Sequence, residues 1–177
     1  METRKKLLGL TCDELKAVAQ TYGLPAFAGK QMADWLYRKQ VRDIALMTNL
    51  PARAREAMAQ DWCIGVEDPI QQQTSKDGTV KHLFEVGEAD NRHNIESVYI
   101  PDGDRATLCI SSQMGCQMGC KFCATGRQGF QGNLTVAEIL NQVQSIGQPE
   151  TLTNVVFMGM GEPLNNTGQV LRAIDIM

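Results

Sequence analysis

The chain has 177 residues, a net charge of −3 and 43% hydrophobic residues. That is enough apolar material for a core, so disorder is not expected, and composition alone does not suggest a nucleic-acid binder. No apolar run approaches the ~18–20 residues of a membrane span, and no h-region follows Arg4-Lys5-Lys6, so a cytoplasmic protein without membrane contact is expected. Charge is uneven along the chain. Residues 1–60 hold 10 Lys+Arg against 6 Asp+Glu, and the remainder is acidic, which confines any electrostatic footprint for a polyanion to the first third.

That first third reads as short helices. Thr11 and Glu14 make a capping box, Leu15, Val18 and Ala19 form an apolar face, and Gly23 stops the helix. A second helix is predicted over 28–40 with Met32, Trp35 and Leu36 inward, and a third from Pro51 to near Trp62. Lys30, Arg38, Lys39 and Arg42 could present a basic face to phosphates, although such charges are as often plain solvated surface.

From Ile64 the pattern turns to strands. Val80, His82, Phe84 and Val86 alternate with Lys81, Leu83 and Glu85 after an Asp77-Gly78 turn. Ile95–Ile100 follows, and Asp102-Gly103 turns the chain into Ala106–Ser112. If Asp102-Gly103 is the centre of a symmetric turn, partner numbers sum to 205, placing Glu96 opposite Cys109; a one-residue slip would put them on opposite faces. Thr135 caps a helix over 136–146, broken by Gly147 and Pro149. A buried strand, Val155–Met158, and a last helix from Thr167 carrying Val170, Leu171 and Ile174 complete the chain. The fold class is α/β: a helical segment (1–62), an antiparallel β-hairpin region (63–105) and two βα units of a parallel sheet (106–177).

Cys116-Gln117-Met118-Gly119-Cys120-Lys121-Phe122-Cys123 is the stretch with the strongest chemistry. In a reducing compartment, three cysteines at C-x3-C-x2-C read as a metal site before a disulfide framework. Gly115 and Gly119 let the backbone curl around a bulky inorganic group. Spacing leaves open an iron–sulfur cluster with one iron lacking a protein ligand, a structural zinc with Cys109, His82 or His93 as fourth ligand, and, well behind both, buried cysteines without a ligand. His82 and His93 otherwise read as ordinary strand and turn residues, and Cys12 and Cys63 as packing residues.

With Phe122 before its last cysteine, the loop resembles the cluster motif of radical S-adenosylmethionine enzymes. Gly159-Met160-Gly161-Glu162-Pro163, after a strand, resembles the superfamily's segment for the amino group of S-adenosylmethionine. Glu96–Pro101, Cys109–Cys116 and Met158–Asn165 together resemble the RlmN/Cfr family of RNA methyltransferases, in its RlmN branch. The resemblance implies a partial (βα)6 barrel preceded by a small RNA-contacting module. It also implies a [4Fe-4S] cluster on Cys116, Cys120 and Cys123, and S-adenosylmethionine held by Gly161 and Glu162. Methylation of carbon-2 of adenine in 23S rRNA and tRNA would follow, through a methyl-cysteine, with an electron donor such as flavodoxin. Glu96 matches the family's general base, and Cys109 its resolving thiol, which ends in a disulfide.

Family members are about twice as long, and the methyl-carrying cysteine and later strands have no counterpart here. The chain is therefore expected to be a fragment, inactive and poorly stable alone. The rival readings are a zinc-binding module and a non-catalytic RNA-binding module.

Overall fold

In the computed structural model, which describes residues 4–87, 90–146 and 152–177, the first third is helical. Helix α1 spans Cys12–Thr21, with both halves of the Thr11–Glu14 capping box formed. Helix α2 covers Ala28–Ala33, shorter than the predicted 28–40, because residues Asp34–Arg38 continue as a π-helical turn. The Lys39 N–H reaches back to the Asp34 carbonyl at 3.0 Å, the five-residue step of such a turn. Helix α3 spans Ala52–Asp61, with Pro51 at its cap. Leu7, Leu15, Met32, Leu36, Met47 and Met58 are fully buried between these helices, and Trp35 packs half-buried against them. The parallel pair β1 (Lys5–Lys6) and β2 (Trp62–Cys63) closes this segment.

The chain divides into two compact units, residues up to Val66 with Ile176–Met177, and Glu67–Asp175. The second unit is built on a five-stranded sheet. Its strands are β3 (Gln71–Thr74), β4 (Val80–Val86), β5 (His93–Asp102), β6 (Arg105–Cys109) and β9 (Asn154–Val156), in the order β3-β4-β5-β6-β9. The sheet runs across the boundary that the sequence pattern suggested at residue 105. The pairs within β3–β6 are antiparallel, and β6–β9 is parallel. One face is buried, through His82, Phe84 and Val86, Ile95 and Ser97, and Ala106 and Leu108. Lys81, Leu83, Glu85, Glu96 and Cys109 occupy the other face, exposed or half-buried.

Between β6 and β9 the chain forms β7 (Gln113–Gly115), α4 (Ala124–Gln128), β8 (Phe130–Asn133) and α5 (Val136–Gln144). Strands β7 and β8 pair antiparallel, so the cysteine stretch lies in the connection of a hairpin. Helix α5 starts on the Thr135–Glu138 capping box and ends at Gln144, two residues short of the prediction. The expected breakers Gly147 and Pro149 lie outside the described residues. Strand β9 ends at Val156, so the predicted strand over 155–158 loses Phe157 and Met158 to the turn that follows. Helix α6 spans Thr167–Ile176 and buries Val170 and Ala173. Leu171 and Ile174, expected on its apolar stripe, are exposed.

The β5–β6 register corrects the predicted one. Partners are Val98–Cys109, Ile100–Thr107 and Asp102–Arg105, summing to 207 instead of 205. The loop is Gly103-Asp104, with Gly103 at φ 56° in the first central position that a type II′ turn gives to glycine. Pro101 stays inside the strand, opposite Ala106. The N–H and C=O of Ala106 both face away, to Thr153 at 3.0 and 2.9 Å. Pro101–Ala106 is thus a non-hydrogen-bonded pair, which asks no N–H of proline. A shift of two residues preserves the face, so Glu96 and Cys109 become diagonal neighbours, about 7–8 Å apart.

Candidate active site

Ser111 and Ser112, which link β6 to β7, and Gln113, which opens β7, are the root from which the site hangs. Buried amides hold Ser111 and Ser112, and Gln113 is itself a buried amide. Gln142, on α5 and with 0% exposure, accepts from the Ser111 N–H at 2.8 Å and donates to the Ser111 carbonyl at 2.9 Å. Asn166 donates to the Ser112 carbonyl and the Leu134 carbonyl, both at 2.8 Å. The Gln113 side chain accepts from the Glu162 N–H at 2.9 Å and donates to Asn133 Oδ1 at 2.7 Å. The Ser111 hydroxyl donates to the Glu96 carbonyl at 2.6 Å and accepts from the Met160 N–H at 2.8 Å.

These bonds fix the Gly-Met-Gly-Glu-Pro turn against the same root. The Met160 carbonyl takes the N–H groups of Ser112 (2.8 Å) and Gln113 (3.2 Å). Gly161 stands at φ 96°, and a Cβ there would fall 2.5 Å from Gln113 Cβ. The glycine therefore admits the close approach of the Gln113 side chain. Glu162 caps the 3-10 turn Pro163–Asn166: one carboxylate oxygen accepts from the Leu164 N–H at 3.1 Å. The other oxygen has no partner among the described residues.

The cysteine loop leaves β7 at Gly115, where φ is 71° and a Cβ would collide with the Gly129 carbonyl. The Cys116 N–H bonds that carbonyl at 3.2 Å, and the Cys123 N–H bonds the Cys120 carbonyl at 3.0 Å. All six cysteines of the chain are free thiols, so no disulfide joins them. Among the described residues no three His, Cys, Asp or Glu side chains are arranged to hold a metal ion. Cys116, Cys120 and Cys123 thus share one loop without forming a finished ligand set, and neither His82 nor His93 joins them. The donor chemistry still fits a thiophilic group: three unpaired thiols lie on a glycine-hinged loop. The N–H of Gly126, then that of Thr125 and its hydroxyl, favour the Cys123 thiolate and hold its pKa below the ordinary value. Phe122, Met118, Met158 and Leu164 are exposed around the loop and the turn. Asn165 Nδ2 reaches Met118 Sδ at 3.6 Å, so the two segments touch.

Glu96 and Cys109 lie on the open sheet face without facing each other. The Glu96 carboxylate pairs with Lys81 Nζ at 3.0 Å. Burial pushes the Cys109 thiol up; no carboxylate contributes. Burial also lowers the His82 pKa, as expected of an imidazole inside a sheet. On the helical unit, the Asp34 carboxylate takes both Arg38 and Lys39 at 3.2 Å, and Lys39 lies 3.6 Å over the Trp35 ring. Arg38 and Lys39 of the expected basic face thus have an acidic partner.

The sequence pattern did not single out Gln113, Gln142 or Asn166. Only an amide standing where a helix should present hydrocarbon could have pointed to Gln142, three residues after Ile139 on the buried face of α5.

With this geometry in hand, the class follows from comparison. A radical SAM superfamily model matches residues 110–176, from the root through α6. A model described as ribosomal RNA large subunit methyltransferase N-terminal domain matches residues 5–64. The chain is 52% identical over 177 residues to the probable dual-specificity RNA methyltransferase RlmN of Bacteroides thetaiotaomicron, a match covering 100% of this chain and 50% of that protein. It is 46% identical over 185 residues to the dual-specificity RNA methyltransferase RlmN of Desulfotalea psychrophila, covering 97% and 50%. A crystal structure of a radical SAM methyltransferase from Sphaerobacter thermophilus superposes with a TM-score of 0.86 at 36% identity, covering 97% of this chain and 51% of that one. Along its whole length the chain is thus similar to RlmN proteins, and its residues 110–176 match the radical SAM superfamily. It spans about half the length of the curated relatives it matches.

Proposed function

We propose that this chain is the cofactor-binding half of an RNA methyltransferase acting on carbon-2 of adenine in 23S rRNA and tRNA. The observation that carries the reading is the shared root. The loop bearing Cys116, Cys120 and Cys123 and the turn bearing Gly161 and Glu162 are both bonded to Ser111–Gln113. The three thiols would hold a [4Fe-4S] cluster, and the unpartnered Glu162 oxygen would pair with the ammonium of S-adenosylmethionine. Bound there, these cofactors supply one-electron cleavage of a sulfonium, which an electron-poor ring carbon needs because it cannot attack a methyl cation donor directly.

The chain's own residues do the rest of what is asked of this half. Burial keeps Cys109 protonated as the resolving thiol. Glu96 serves as the general base, and its ion pair with Lys81, half exposed, is weak enough to exchange for a proton of the substrate. Both side chains enter from the open sheet face, so substrate meets base and thiol from one side. RNA substrates fit the names of the relatives and the basic balance of residues 1–60. Reduction by a flavodoxin-like donor in the cytoplasm belongs to the same reading, and among the described residues no helix is long and apolar enough to cross a membrane.

Iron and acid-labile sulfide analysis after anaerobic reconstitution tests it. Cys116→Ala, Cys120→Ala and Cys123→Ala should each abolish the brown chromophore, and Cys109→Ala should keep it. One zinc per chain without sulfide would favour the zinc module instead.

A further inference from the structure

Gln113 is wholly buried and uses both ends of its amide. Its oxygen accepts from the Glu162 N–H at 2.9 Å, and its nitrogen donates to Asn133 Oδ1 at 2.7 Å. Gln113 opens β7 and Asn133 ends β8, and the two are register partners. They stand at the root of the hairpin whose connection carries the three thiols. One residue outward, the Ser112 carbonyl accepts from the Leu134 N–H at 3.1 Å and from Asn166 Nδ2 at 2.8 Å. The strand entering the thiol loop, the strand leaving it and the Glu162 turn therefore meet at one amide, with a second amide bracing them from behind.

We infer that Gln113 is a positioning residue, whose amide fixes where the Glu162 carboxylate stands relative to the cysteine loop. The inference rests on the proposed S-adenosylmethionine site at Glu162. An ammonium held by one carboxylate oxygen is sensitive to its placement, and a displacement of about 1 Å can cost two orders of magnitude in a reacting site. Leucine at 113 would preserve apolar packing while leaving the Glu162 N–H unpaired and the turn free to shift. The thiol loop keeps its own β7–β8 pairing and the Asn166 brace, so cluster uptake is separable from placement of Glu162.

The test uses the complete protein, reconstituted anaerobically with iron and sulfide. Gln113→Leu should keep wild-type iron and sulfide, bind S-adenosylmethionine about tenfold more weakly by equilibrium dialysis, and show a smaller change in the spin-resonance signal of the reduced cluster on adding it. Asn133→Leu should weaken binding in the same way, and it carries the test if Gln113→Leu does not fold. Asn133→Asp keeps an acceptor for the Gln113 amide and should retain affinity. Wild-type affinity in whichever leucine variants fold, or loss of iron from them, overturns the inference alone. A wild-type protein that takes up a cluster but no S-adenosylmethionine overturns the Glu162 site itself, and the inference with it.

Discussion

In the helical unit the fully buried side chains are hydrocarbon and thioether: Leu7, Leu15, Met32, Leu36, Met47 and Met58. In the sheet unit, a buried polar set stands beside the apolar one. Among the described residues, every buried polar side chain lies there, from His82 and Ser97 through Ser111, Gln113 and Gln142 to Asn166. Apolar burial stabilises without direction, and volume-conserving swaps leave it nearly intact. A buried amide gains far less net free energy, because it must first shed water. It does, however, fix its partner to within a hydrogen bond's length and angle. The sheet unit uses buried side-chain amides where a position must be held, and among the described residues the helical unit has none.

Truncating the hydrocarbon core should give the largest effect. Leu15→Ala is expected to cost about 2–5 kcal/mol, read as a lower denaturant midpoint by tryptophan fluorescence, since Trp35 and Trp62 both lie in the helical unit. An unchanged midpoint would break the contrast from its apolar side. Next comes Gln142→Leu, which adds hydrocarbon yet strips the Ser111 N–H and C=O of their partner. About 1–3 kcal/mol is expected, seen as faster hydrogen exchange at residues 107–113; equal protection would mean that the amide is not what holds the root.

The smallest effect sharpens the comparison within the sheet unit, between two thiols. Burial raises the Cys109 pKa, and backbone N–H groups lower that of Cys123. Alkylation of the metal-free protein should therefore titrate at Cys123 below the ordinary thiol range and at Cys109 above it. The sign for stability follows: the Cys109 contribution is full below its unfolded pKa and lost as pH rises through the folded one. Coincident alkylation profiles would refute the assignment of both environments.

The capping boxes at Thr11–Glu14 and Thr135–Glu138, the alternation of β4 and the three-cysteine loop were all legible in the residues alone. Each is a signal whose parts lie within a few positions of one another, so the local chain determines it. The hairpin register was not, because the turn at Gly103-Asp104 competes with an equally plausible one at Asp102-Gly103. The outward bonds of Ala106 to Thr153, 47 residues away, go with Pro101's place inside the strand. The amides of Gln142, Asn166 and Gln113 were equally invisible. Their partners at the root stand 20 to 54 residues off in the chain, and a glutamine that will be buried looks, in sequence, like one that will face water. The sequence by itself determined the local signals: the helix caps, the alternation of β4 and the spacing of the three cysteines. Only the packing of distant segments decided where Glu162 stands against the thiol loop, because a hydrogen bond's direction exists only once both of its ends have been placed.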